Sequence, residues 1–246
     1  MLEGRSGQAH TLGLRHIPMV FAAPRSLFGR VEDTGSYGWA LVTILVSVML
    51  LGYLEVQTGL IDRTVDQQTE AALAKLEESQ AHLVDRVELR EQMDDVRKGG
   101  EFNKLLHVLG AIAMAPAFML ASFLLIAAVL FAAVALTGRK PEYHTLMSIC
   151  VFAGFIELAG QTLRLGMVFA YRTIDVNTSL GMLAPPGVPS VLVAVDPFRI
   201  WFWVLVALGL ITTRQLGRRG AVVTCVVLAL VGAGVRVAAS FAGRGG

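Results

Sequence analysis

Charged side chains are scarce in this 246-residue sequence: they make up 16% of it, where a soluble domain carries about a quarter. They are also segregated, most lying in residues 1–37 and 62–104 and leaving the remainder nearly free of them. This pattern excludes an ordinary water-soluble globule and describes a chain solvated by lipid over most of its length. The net charge of +2 is too small to argue for nucleic acid. Cysteine is almost absent. Cys150 and Cys225 both fall in apolar stretches, where a thiol behaves as a small hydrophobe and no disulfide is expected. A cleavable leader is not expected either, because the early apolar run at 17–23 is short, contains Pro18 and leads through Pro24 into arginines. The sequence lacks HExxH, GxSxG and a Walker-type GxxxxGK, and it shows no internal repeat. A catalytic centre, a cofactor and a metal are therefore not expected.

What is abundant is apolar surface, 54% of residues, with a mean hydropathy of +0.62. Five segments carry it: Trp39–Leu54, Leu105–Leu136, Tyr143–Tyr171, Phe198–Thr213 and Ala221–Phe241. About 20 apolar residues cross a hydrocarbon core of about 30 Å. The sequence thus predicts an all-α, polytopic membrane protein, a bundle of about five transmembrane helices. The second segment is too long to stand upright, and Pro116 within it predicts a kink. Tyr37, Trp39, Tyr53, Tyr143, Tyr171, Trp201 and Trp203 mark interfaces at headgroup depth.

Orientation follows from the basic connections. Arg5, Arg15, Arg25 and Arg30, then Arg139 and Lys140, then Arg214, Arg218 and Arg219 lie on one side of a five-span chain. The positive-inside rule makes that side, and the N-terminus, cytoplasmic and the C-terminus extracytoplasmic. The organisation expected is a cytoplasmic segment (1–37), a first span (38–60), an extracytoplasmic helical insertion (61–104) and four further spans with short loops (105–246). A Pro- and Gly-bearing stretch at 184–189 predicts an irregular outer loop.

Four features bear on function. Phe21, Pro24, Phe28 and Val31 share one helical face, with Arg25 and Arg30 around the other side. That is the pattern of an interfacial anchor, Pro24 suiting a first helical turn. In the third segment Glu157, Gln161 and Arg164 share a face at i, i+4, i+7. Counting from the cytoplasmic ends puts Glu157 about 21 Å deep, Arg236 about 24 Å and Glu55 about 26 Å. The expectation is an intramembrane polar cluster of Glu55, Glu157, Gln161, Arg164 and Arg236. It reads as a clamp between helices or, alternatively, as part of an ion path. Ala113, Ala117 and Ala121, and Ala229 and Ala233, form small-residue packing faces. Finally, 62–98 contains no Gly or Pro and precedes Gly99-Gly100. It predicts a long extracytoplasmic amphipathic helix between the first and second spans, ending at a glycine stop; it either lies flat on the membrane or folds into a hairpin near Glu78-Ser79, and the absence of a Gly or Pro breaker there favours the flat arrangement. Leu73, Leu76, Leu83 and Val87 form its stripe, expected to contact a partner protein or a second copy.

With these pieces placed, the chain resembles the Ypt-interacting protein (Yip) domain family in its bacterial form over most of residues 20–241. The resemblance rests on Phe21-Ala-Ala-Pro24-Arg-Ser-Leu-Phe28, on Thr137-Gly-Arg-Lys140, and on Asp196-Pro-Phe-Arg-Ile-Trp201 leading into Leu205-Val-Ala-Leu-Gly-Leu210. It implies five spans and a cytoplasmic N-terminus. Eukaryotic relatives bind Rab GTPases in membrane traffic, and some bacterial ones are linked to ABC-type export systems. The function expected is a non-enzymatic scaffold or accessory subunit of a larger complex in a bacterial inner membrane. Its partners would be the lipid bilayer and other membrane proteins or further copies of itself. The alternative is a small transporter or channel component using Glu55, Glu157 and Arg236.

Overall fold

The structure is a computed structural model and describes residues 12–31, 37–80, 86–172, 176, 178–183, 192 and 195–242. Among them all regular structure is helical. Two short helices, α1 (Ile17–Ala22) and α2 (Pro24–Phe28), precede α3 (Gly38–Gln57), α4 (Leu60–Gln80) and α5 (Arg86–Leu109). A π-helical turn, Gly110–Met114, then joins α5 to α6 (Ala115–Leu136). α7 (Tyr143–Tyr171), α8 (Pro197–Thr212) and α9 (Arg218–Ala242) complete the chain.

Among the described residues four helices are long and apolar enough to cross a membrane: α3, the continuous α5–α6 run, α7 and α9. α8 is apolar but has only 16 residues. The third apolar segment of the sequence coincides with α7 at both ends; α3 and α9 extend a little beyond the first and fifth at each end, α8 is set one residue earlier than the fourth, and the second begins inside α5, whose helix starts at Arg86. The irregular loop expected at 184–189 lies outside the described residues.

The described residues fall into two compact units. The first comprises residues up to Leu45, Met119–Gln161 and the chain from Asn177 onward. Its axis is α7, buried on all sides from Thr145 to Ile156, as befits a helix that is apolar around its whole circumference. Phe123 of α6 and Ile44 of α3 lie against Gly154 of α7, Ile149 of α7 lies against Gly209 of α8, and Leu130, Phe202, Leu205 and Leu210 are buried in the same unit. α9 is the opposite case. Only 11% of its apolar window is buried, against 67% for α7. The start of α8 is written into Asp196-Pro197: the Asp196 carboxylate accepts from the Phe198 N–H at 2.9 Å, and Pro197 fills the first turn. Pro24 opens α2 in the same way, and α2 packs on α8.

The second unit comprises Val46–Phe118 and Thr162–Val176. Here the expectation for 62–98 is corrected. The segment is not one flat helix but an antiparallel pair, α4 and α5, and α5 runs straight through Gly99-Gly100. Gly100 is a point of close approach rather than a stop, since a Cβ there would sit 2.6 Å from the Thr69 hydroxyl. Lys104 meets Asp66 at 2.7 Å. This register sets half-buried Leu73 opposite Val96 and Leu76 opposite Met93. Pairing lets each stripe bury the other, which a flat helix leaves to an outside surface. The turn from α3 into α4 passes through Gly59 at φ +65°, a conformation that strains other residues. Pro116 acts through the turn before it. Pro cannot donate to the carbonyl four residues back, and the helix answers with a π turn in which the Ala115 N–H reaches Gly110 O.

Candidate functional site

Two acids on apolar helices, Glu157 and Glu55, are each met by a guanidinium from another part of the chain. In the first unit Glu157 of α7 is ion-paired and hydrogen-bonded to Arg199 of α8, the carboxylate side chain 16% exposed. Arg199 comes from the first turn of α8, so the cap at Asp196 fixes it in place. Phe198, its neighbour, lies on Gly160 of α7, where a Cβ would come within 2.8 Å of the ring. Each residue of the Asp196-Pro-Phe-Arg sequence thus has a job: capping, starting, packing and pairing. Thr178 adds a hydroxyl hydrogen bond to Asp196 at 3.1 Å.

In the second unit Glu55 of α3 meets Arg164 of α7 through Nη2 at 2.9 Å and Nη1 at 3.5 Å, a forked contact. The Arg164 Nε–H donates to the Val176 carbonyl at 3.1 Å. Beside this pair is a cavity of about 560 Å³ whose wall includes Asn103, His107 and the first residues of the π turn. Gly52 of α3 lies so close to the Ala111 carbonyl of that turn that no side chain fits between them.

Of the cluster expected from sequence, Glu55 and Arg164 are therefore brought together. Glu157 is held by Arg199, which in the sequence stands out only as part of the entry to the fourth span. Gln161 is exposed. Arg236 donates through Nε to the Gly232 carbonyl at 3.3 Å and shares with Arg199 one end of a groove of about 510 Å³ between α8 and α9. The one signal for Arg199 was its spacing, three residues beyond a helix-capping Asp. No signal pointed to His107. Among the described residues no group of three or more His, Cys, Asp or Glu could hold a metal ion.

The anchor residues separate. Phe28, with Leu27, is buried where α2 meets α8, Phe21 is exposed, and Pro24 and Val31 are intermediate. Leu73 and Leu76 are half-buried on α4, while Leu83 and the Val87 side chain lie outside the described residues.

No curated protein and no solved structure matches the chain. A family model, that of the Yip1 domain, matches residues 19–238, a stretch that takes in both ion pairs, the α4–α5 pair and the α8–α9 groove.

Proposed function

The chain is a membrane protein of the Yip1 domain family, and on that premise we propose that it works without catalysis, as a scaffold or accessory subunit of a larger membrane complex. The observation that carries this reading is the α4–α5 pair. It is a solvated element built on the second unit, with Leu73 and Leu76 turned inward by its register and Glu70, Glu77, Glu78, Glu88, Glu91, Asp94 and Asp95 exposed. Two helices that stabilise each other and present a charge-dense surface, net acidic despite exposed Arg63, Lys75, Arg90, Arg97 and Lys98, form a recognition arm, and the partner we propose meets that surface. The ion pairs Glu55–Arg164 and Glu157–Arg199 serve as clamps between helices. In its finer form the proposal places the chain in a bacterial inner membrane with the N-terminus cytoplasmic, and makes an ABC-type export system the complex served.

Purification of the full chain in mild detergent should yield one stoichiometric co-purifying protein. Changing Leu73 and Leu76 together to Glu should melt the arm and remove that partner while the remaining helices stay inserted and monodisperse. Absence of a stoichiometric partner, or its full retention by the variant, refutes the reading.

One observation favours a second reading, a transport component: the cavity that sets His107 and Asn103 beside Glu55 and Arg164. In proteoliposomes under a pH or sodium gradient, flux lost in Glu55→Gln would support it. Equal leakage of wild-type protein and empty vesicles would dismiss it.

A further inference from the structure

The groove between α8 and α9 has a composition that selects an occupant. Ile200, Val204 and Leu208 of α8 face Val222, Val226 and Leu230 of α9 along its length. Among the described residues its charged lining consists of four arginines, with no acid. The helices run antiparallel, so Arg199 and Arg236 stand at one end and Arg218, joined by Arg25 from α2, stands at the other. The first end is already engaged: Arg199 holds Glu157, and Arg236 bonds the Gly232 carbonyl. At the second end neither Arg25 nor Arg218 has an ion pair among the described residues.

We propose that this groove holds one anionic phospholipid, its phosphate between Arg25 and Arg218 and an acyl chain along the apolar wall. Two guanidiniums can grip a phosphodiester through paired N–H donors, a geometry that planar forks suit better than point charges. Arg218 is the first residue of α9, so the grip falls where a span leaves the hydrocarbon, at headgroup depth. The wall is too apolar to hold a free phosphate by itself, and dry apolar lining gains dispersion contacts only from a chain laid against it. α9 is the least covered of the long helices, so the groove opens toward lipid. A zwitterionic headgroup fits poorly, because its ammonium would meet two arginines and no carboxylate. The inference is independent of the scaffold proposal, since it needs neither the α4–α5 arm nor a protein partner.

The test is native mass spectrometry of the delipidated full chain titrated with dioleoyl phosphatidylglycerol or dioleoyl phosphatidylcholine. The expected result is a single site with about a 20-fold preference for the anionic lipid. Arg25→Gln combined with Arg218→Gln should bring that preference below about threefold, and Ala229→Phe, which fills the groove, should weaken both lipids. Equal affinity for the two lipids in the wild type overturns the proposal, as does a preference that survives the double substitution. Glycerol phosphate without chains binding as tightly as the lipid also overturns it, since the groove would then play no part. If the double variant does not fold, Ala229→Phe decides alone: unchanged phosphatidylglycerol binding refutes the site, and its loss supports it.

Discussion

Replacing Glu157 by leucine removes one half of an ion pair whose carboxylate side is 16% exposed and whose guanidinium side is 41% exposed. Breaking a fully buried pair from one side costs about 3–5 kcal/mol, because the remaining charge has lost its partner but not its burial. Arg199 is not fully buried. It borders the α8–α9 groove and can turn toward headgroups or water, and membrane pairs are generally weaker than the soluble limit. About 2 kcal/mol is therefore the expected loss. For a chain of this length that lowers the unfolding midpoint by about 4–8 °C. Changing Arg199 to leucine as well removes the stranded charge and its desolvation penalty together, so the double variant should recover most of the loss. Thermal unfolding in detergent, followed by tryptophan fluorescence and checked by size exclusion, yields the complete cycle. The coupling should be about 1–2 kcal/mol. Independent losses that add to within about 0.5 kcal/mol would refute the clamp.

Thr69→Cys combined with Gly100→Cys, in a background lacking Cys150 and Cys225, should form an intramolecular disulfide on mild oxidation. A Cβ at 100 lies 3.5 Å from that of Thr69, within the range of about 3.5–4.5 Å that a disulfide requires. Peptide mass spectrometry reads the link, and its absence would contradict the antiparallel pair. Gly160→Ala should lower stability by about 1–3 kcal/mol by pressing on Phe198, with relief from Phe198→Leu; an unchanged midpoint would mean the contact is slack. Single cysteines at Ser79 and Gly245 should react with an impermeant thiol reagent added outside, and one at Gly217 should not. The reverse pattern would invert the proposed orientation.

What the sequence made legible are properties that a short window contains. Tyr143 and Tyr171 bound α7 because an apolar run with aromatic ends is a complete statement of a helix and its limits. Pro24 and Asp196-Pro197 announce first turns because caps depend only on neighbours. The errors arose where one residue type has two physical uses. Glycine stops helices through its backbone freedom, but Gly99-Gly100 sits inside α5, and at Gly100 it is the missing Cβ that matters. Pro116 marks a local irregularity whose form, a π turn ending two residues before it, the sequence does not specify. The Glu157–Arg199 pair spans two helices, so no local pattern names it, and a count of depth along each helix cannot say which arginine turns toward which acid. The residues between α4 and α5 include no Gly or Pro to betray a reversal. The pair is held by the mutual fit of two amphipathic stripes, which becomes visible only when both are laid side by side.

From Arg86 to Leu136 the backbone passes from the acidic arm into an apolar span with no loop between them, roughly 75 Å of uninterrupted helix. A loop would absorb any twist imposed on the arm; a helix transmits it. The π turn at Gly110–Met114 is the joint in this shaft. It carries one residue more per turn than its surroundings, and letting that residue slip back into α-helical register would rotate the faces on its two sides by about 100° relative to each other. The close approach of Gly52 to the Ala111 carbonyl lies within this joint, so any change of register there would have to move the backbone of the turn past α3.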